Sequence, residues 1–204
     1  MPPDTDAVDL RVVLGSTTPP GRMHRALEGA IGRAAFAADL IDLGTLDLGF
    51  AAGTPVADLG DDTAATIAAI GSAGAVVLAT PIYRGSLSGS LKNLIDLTPV
   101  PALQGKVVGL VAMGASDHHF LGAERHLRDV LAFFGAVVMP VAVYLDGPDF
   151  TDGVPGERAA TVLDELFTGT VATAAALDGV EALRSPAPMA ARAIRARAAS
   201  TPAR

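Results

Sequence analysis

The sequence predicts an α/β domain, a doubly wound sheet of five parallel strands with helices on both faces. Three observations predict it. Strand-length apolar runs alternate with stretches of helical periodicity, β then α, five times over. The central run, Val76-Val77-Leu78-Ala79, has no polar interruption, as a strand covered on both faces requires. No longer internal repeat competes with this pattern.

Each element follows from its residues. Residues 1–7 are a polar, proline-rich lead. Residues 8–14 read as the first strand, interrupted by Asp9 and Arg11. Gly15-Ser16-Thr17-Thr18-Pro19-Pro20-Gly21-Arg22 is a turn-rich loop. The helix after it carries Met23, Leu27, Ala30, Ile31 and Ala34 on one face. Residues 38–43 are a second strand, whose Asp39 and Asp42 mark it as an edge. The connection 44–60 has no assignable element. Asp61 and Asp62 favour a helix start, and Ala64, Ile67, Ala68 and Gly71 continue that helix. The central strand ends at Thr80-Pro81, because proline has no N–H to give a neighbouring strand.

Leu87, Leu91, Leu94 and Ile95 then share one face of a helix over 88–98, with Lys92 and Asp96 as a surface ion pair. Pro99 and Pro101 break the chain. Residues 106–112 are the fourth strand. Asp117 caps a helix whose core face is Phe120, Leu127, Val130, Leu131 and Phe134, and which Gly135 ends. Residues 137–145 are the fifth strand, interrupted by Pro140 and therefore at an edge or a bulge. A loop over 146–156 precedes the last helix, 157–181, with Leu163, Leu166, Thr170, Ala174 and Leu177 in register.

Composition sets outer bounds. The 204 residues are enough for one domain with a real core, and half are apolar. The domain is expected over 1–184. Residues 185–204 form a separate tail with four arginines and no acid; without it the net charge of −7 becomes −11. That acidity argues against nucleic acid as a partner. The absence of cysteine excludes disulfides, thiolate chemistry and Fe–S clusters. No signal peptide or membrane-length apolar run is visible, so a cytoplasmic protein is expected.

In a sheet of order 2-1-3-4-5, the loops after strands one, three and four converge on the crevice between the first and third strands. The first loop offers Ser16, Gly21, Arg22, Met23 and His24 at a helix start. Hydroxyls, a guanidinium and free backbone N–H groups suit a phosphate. Taken alone it reads rather as an ordinary loop capped by Ser16 or Thr18, with Arg22 in solvent, since it is neither a Walker A motif nor a GxGxxG fingerprint. The second loop, Pro81-Ile82-Tyr83-Arg84-Gly85-Ser86, offers an aromatic edge and close main-chain approach, as a flavin ring needs. A core Tyr83 and a surface Arg84 are the structural alternative. The third loop contributes Gly114, Ala115 and Ser116 through main chain. His118 and His119 after Asp117 lack metal-ligand spacing, and no metal is expected. His126, seven residues after His119, suits a subunit interface.

Ala79-Thr80-Pro81-Ile82-Tyr83, then Ser88-Gly89-Ser90-Leu91-Lys92-Asn93-Leu94-Ile95-Asp96, resembles the ATP-x-Y-x(4)-SG-x-LK-x-x-x-D signature of the NAD(P)H-dependent FMN reductases. Ala102-Leu103-Gln104-Gly105-Lys106 and Gly15-Ser16 with Arg22 are also similar to that family. Within it, the likeness is to flavin reductases that supply reduced FMN to alkanesulfonate-type monooxygenases. The resemblance implies a flavodoxin-like fold, FMN and NADPH or NADH as cofactors, and a homodimer or homotetramer built on the helix at 88–98. It implies that the phosphate sits over Ser16, Arg22 and the first helix start, and that the ring rests on 81–86 and 114–116. It also implies a π-bulge near Arg125 or His126. Thr17-Thr18 and Met23-His24 depart from the Pro-Arg and the serines that the family often carries there, leaving fewer hydroxyls for the phosphate.

The function expected is an NAD(P)H:FMN oxidoreductase that supplies reduced flavin to a partner monooxygenase. The alternatives are a quinone or azo-compound reductase with retained FMN, and a flavodoxin-like electron carrier or interaction module.

Overall fold

Strand β3 (Ala75–Pro81) is buried at all seven positions and sits at the centre of the sheet. In this computed structural model, which describes residues 4–16 and 20–184, it pairs in parallel with β1 (Leu10–Leu14) and β4 (Val107–Met113). The expected tail, 185–204, lies outside the described residues. Strand β2 (Ala38–Asp42) adds outside β1. On the other flank, β5 (Val137–Val138) and β6 (Val143–Leu145) both pair in parallel with β4. Pro140 stands in the gap between them, so the predicted fifth strand is one edge broken in two. The order is 2-1-3-4-5, as the alternation of elements predicted.

Side chains alternate across a strand, so a doubly buried strand feeds two cores. Ala75, Val77 and Ala79 pack under α1 (Arg22–Arg33) and α5 (Glu157–Ala176). Val76 and Leu78 pack under α2 (Thr63–Ser72), α3 (Gly89–Leu97) and α4 (Gly122–Phe134). The apolar stripes of the helices match their cores: Met23, Leu27 and Ala30 on α1, and Leu91, Leu94 and Ile95 on α3. Ser88 caps α3, its hydroxyl accepting from the Leu91 N–H. Gly135 closes α4 in the left-handed conformation, as predicted. Lys92 and Asp96 form the expected i, i+4 pair at 2.7 Å.

Several elements differ from the sequence reading. Helix α2 buries Thr63, Thr66, Ile67 and Ile70 and leaves Ala64 and Ala68 exposed. The helix itself stands where the sequence predicted it; its buried face was not read from the sequence. Asp117 begins a short 3-10 turn, Asp117–His119, and α4 starts only at Gly122. Phe120 is therefore an exposed loop residue, and His119 and His126 do not share a helix face. Helix α4 is α-helical along its length, without a π-bulge at Arg125 or His126. Helix α5 stops at Ala176 and a 3-10 turn, Glu181–Arg184, follows.

Two unassigned stretches prove ordered. In the 44–60 connection, the Asn93 amide accepts from the Ala51 N–H and donates to the Gly49 carbonyl. In the 146–156 loop, β7 (Phe150–Thr151) and β8 (Val154–Pro155) make an antiparallel hairpin. Its turn is Asp152-Gly153, both at positive φ, the pair that a two-residue hairpin turn favours. The hairpin is tied down at both ends. Arg25 Nε donates to the Gly153 carbonyl at 2.7 Å. Asp149, buried, accepts two 2.6 Å bonds from Arg158 and one from the Asp146 N–H.

The Asp149–Arg158 pair gives a first test. Asp149→Ala removes charge-assisted bonds from a buried carboxylate, and the expected loss is about 2–3 kcal/mol of stability. Urea unfolding measures it. A loss below about 0.5 kcal/mol, the scale of an ordinary surface substitution, would show that the pair does not anchor the hairpin.

Candidate functional site

Strand order reverses between β1 and β3, and the loops leaving their carboxyl ends open a crevice there. The first loop is held against the third helix. Gly15 N–H donates to the Ala79 carbonyl at 2.8 Å, and Ser90 Oγ donates to the Gly15 carbonyl at 3.0 Å. A side chain at Gly15 would meet Leu91 Cβ at 2.5 Å, so only glycine lets β1 pass this close to α3.

The start of α1 is built like an anion site. Gly21 is its N-cap and supplies no side-chain acceptor. The N–H groups of Arg22, Met23 and His24 thus lack intrahelical acceptors and carry the positive end of the helix dipole. The Arg22 guanidinium lies 5.2 Å over the Phe150 ring, which holds it at the rim of this helix start. Met23 is different: its side chain is 3% exposed in the core, so its main chain is what faces the loop. His24 turns toward β2, with Nε2 3.4 Å from Asp42 and Nδ1 3.1 Å from Glu28. Positions 17–19 of this loop lie outside the described residues.

The second loop is a tight turn. Tyr83 and Ser86 exchange backbone hydrogen bonds at 2.9 and 3.1 Å, and Arg84 and Gly85 between them have φ of 54° and 77°. This is a type I′ arrangement, in which glycine is at ease and Arg84 is strained. Tyr83 is 46% exposed, so it is a wall of the crevice and not a core residue. Arg84 projects from the tip. Ile82 N–H donates to the Met113 carbonyl, which ties this loop to the end of β4. Ser86 is not free to face the crevice: its hydroxyl is 2.8 Å from His126 Nδ1 on α4.

The third loop follows Met113. Gly114 N–H donates to the Leu145 carbonyl, and the Tyr144 hydroxyl donates to the Ser116 carbonyl. Any side chain at Gly114 would collide with that hydroxyl. Phe120 packs edge-on against the Tyr144 ring, centroids 5.9 Å apart. Burial, then the carboxylates of Asp146 and Asp117, push the Tyr144 phenol above its ordinary value, which keeps it a donor.

Leu14, Ser16, Gly21, Arg22, Met23, His24, Asp42, Pro81, Tyr83 and Met113 surround one cavity of about 60 Å³. The structure therefore brings the predicted first-loop residues together with Pro81 and Tyr83. Ile82, Arg84, Gly85, Ser86, Gly114, Ala115 and Ser116 do not line it; Arg84 is exposed and the Ser86 hydroxyl is held by His126. A larger groove of about 800 Å³ lies past Tyr144, between β6 and α5, and contains none of the first-loop residues. Among the described residues no cluster of metal-ligating side chains occurs, and no helix is long and apolar enough to cross a membrane.

The start of α1 and the turn after β3 thus share one cavity at the switch point of this sheet. The family model for NADPH-dependent FMN reductases matches residues 8–149. The chain belongs to this family. It is 37% identical over 113 residues to the NAD(P)H-dependent FAD/FMN reductase of Geobacillus thermodenitrificans (strain NG80-2), covering 55% of this chain and 61% of that one. It is 29% identical over 185 residues to the NADH-dependent FMN reductase SfnF of Pseudomonas putida, covering 84% of this chain and 100% of that one. Among solved structures, the flavoenzyme NAD(P)H:(acceptor) oxidoreductase FerB of Paracoccus denitrificans shares the fold, with a TM-score of 0.66 at 22% identity over 81% of this chain and 96% of that one. The first three curated relatives are matched over 61%, 60% and 44% of their own lengths.

Four residues that bear on the site were not assigned to it from the sequence, Asp42 being read as an edge marker and His126 as an interface residue. Asp42 and Tyr144 sit at the carboxyl ends of strands, where the fold rule alone points to a crevice. Phe150 precedes the Asp-Gly turn, itself a hairpin signal. His126 carries no local mark of its bond to Ser86.

Tyr144→Phe removes the donor that pins Ser116. The expected results are a loss of about 1 kcal/mol and faster amide exchange over 114–119. Because the folded-state value is raised, this contribution is present below the ordinary tyrosine value of about 10 and disappears as pH rises through the folded value. Urea titrations at neutral and alkaline pH check the sign. Equal exchange in both proteins would remove Tyr144 from the site.

Proposed function

We propose that this chain is a cytoplasmic NAD(P)H:FMN oxidoreductase that hands reduced flavin to a partner monooxygenase. The observation that carries this reading is the meeting of the α1 N-terminus, whose Gly21 cap offers no side chain, and Arg22 with Pro81 and Tyr83 at the switch point. The fit to FMN is chemical. The phosphate needs donors and positive charge, and the N–H groups of Arg22, Met23 and His24 and the Arg22 guanidinium supply both. The ring needs flat walls and main-chain donors, and Tyr83, Gly85 and the 114–116 segment offer them. Membership of the FMN reductase family supports the same assignment.

When bound, FMN supplies the ring nitrogen that accepts hydride from the nicotinamide. The chain's own part is to bind, orient and exclude. Arg22 neutralises the phosphate from its seat on Phe150. Pro81 ends β3 without an N–H and sends the chain across the crevice. The paired backbone of Tyr83 and Ser86 fixes the turn, and Tyr144 fixes the third loop opposite it. No side chain is required as acid or base, because orientation of the two cofactors carries the rate.

The openness of the site supports release of flavin. Tyr83 is half exposed, the chain has no tryptophan, and hydroxyl donors at the phosphate are few. Relatives named for NADH and for NAD(P)H leave either nucleotide as the reductant. Assembly as a homodimer or homotetramer on the α3 face is part of the same proposal.

Oxidation of NADPH and NADH, followed at their reduced absorbance band with increasing FMN, tests the reading. Turnover should rise and saturate with added FMN. Turnover on retained flavin, given only with a quinone or dye, would replace it with the acceptor-reductase reading. Arg22→Ala should weaken FMN about ten-fold or more, the scale of one charge-assisted bond to phosphate. Fluorescence quenching of FMN measures this, and unchanged affinity would remove Arg22 from the phosphate site.

A further inference from the structure

The phosphate end of the crevice contains a carboxylate that a phosphate site should avoid. Asp42 closes β2, lines the same cavity as Ser16, Arg22 and Tyr83, and has a side chain only 10% exposed. One of its oxygens accepts from the Gly44 N–H at 2.9 Å. The other lies 3.4 Å from His24 Nε2. The opposite ring nitrogen, Nδ1, is buried without a hydrogen-bond partner and lies 3.1 Å from Glu28, off the line of a bond. His24 is thus wedged between two carboxylates on one side of the helix start that would take the phosphate. The charged and titratable groups around it are Glu28 and Arg22 on its own helix, Asp42 on β2 and Tyr83 across the cavity.

We propose that His24 is the counter-ion of Asp42 and that its proton sets how tightly this chain holds the phosphate of FMN. The inference rests on the phosphate site assigned above. With His24 protonated, the imidazolium neutralises Asp42, and Arg22 with the helix N-terminus presents net positive charge. With His24 neutral, the uncompensated Asp42 carboxylate faces the incoming dianion. Linkage then requires the reverse: bound phosphate favours the protonated imidazole, so binding takes up a proton. The phosphate's own second ionisation acts with the opposite sign, because a positive site favours the dianion and expels a proton. The two effects are therefore separable.

The test is affinity for FMN and for riboflavin, by flavin fluorescence quenching, over about pH 5 to 8.5, the range in which histidines titrate. In the wild type, FMN affinity should fall by roughly ten-fold toward the alkaline end, while riboflavin, lacking the phosphate, stays level. His24→Gln should bind FMN weakly throughout and lose the fall. Asp42→Asn should bind FMN tightly at the alkaline end. Calorimetry in buffers of different ionisation enthalpy should show more proton uptake with FMN in the wild type than in His24→Gln, which keeps only the release from the phosphate. Coincident pH profiles for wild type and His24→Gln, or an equal fall for riboflavin, would overturn the role of His24 and leave the phosphate site standing. Failure of the wild type to bind either flavin would overturn both.

Discussion

Burial of β3 on both faces is the constraint on which the rest of the structure depends. Seven consecutive residues without solvent contact need a strand neighbour on each edge and a helical layer above and below. The parallel neighbours β1 and β4 meet the backbone requirement. Parallel neighbours in turn demand crossover helices, and right-handed crossovers place them on opposite sides according to the direction of winding. The reversal of winding between β1 and β3 leaves the crevice. The functional loops are thus where the sheet's own connectivity leaves no helix to cover them.

The site is assembled from elements that reach it by separate routes, and each route has its own anchor. Ser90 and Gly15 join the first loop to α3. Ile82 joins the second loop to β4, and Ser86 joins it to α4 through His126. Tyr144 joins the third loop to the far edge of the sheet. Arg22 depends on a longer chain: Arg158 holds Asp149, Asp149 begins the hairpin, and Phe150 seats the guanidinium. The split edge strand therefore bears on the site although it does not touch the cavity. Its second piece, β6, carries both Tyr144 and the turn that leads to the hairpin.

Most of the fold was legible because it rests on local signals. The strand run at 76–79, the proline at 81, the glycine at 135 and the proline at 140 each act within a few residues, and each has its predicted consequence. The face of α2 was not legible, because threonine hydroxyls can be buried when bonded locally and alanines are indifferent. Phe120 was misread as core for the opposite reason. Its spacing fits a helix, but the helix begins two residues after it, and the ring finds Tyr144 instead. In the site, glycine and hydroxyl positions were readable from loop chemistry. The pairings were not. His24 and Asp42 are eighteen positions apart, Ser86 and His126 forty, and no periodicity relates residues brought together by a sheet.

The charges of the crevice follow from the same topology. The carboxyl end of β2 lies beside the start of α1 because β2 pairs with β1 in register, Leu14 against Asp42. An acid at that strand end is therefore delivered beside the start of α1 whatever the rest of the chain does. An edge strand favours such polar residues, so a soluble edge and the phosphate site proposed above conflict at one position. A cation on the adjacent helix turn resolves the conflict only if it can reach Asp42, and the third residue of α1 is placed to do so. A lysine or arginine there would be a permanent charge. An imidazole at this position makes the compensation conditional on its proton.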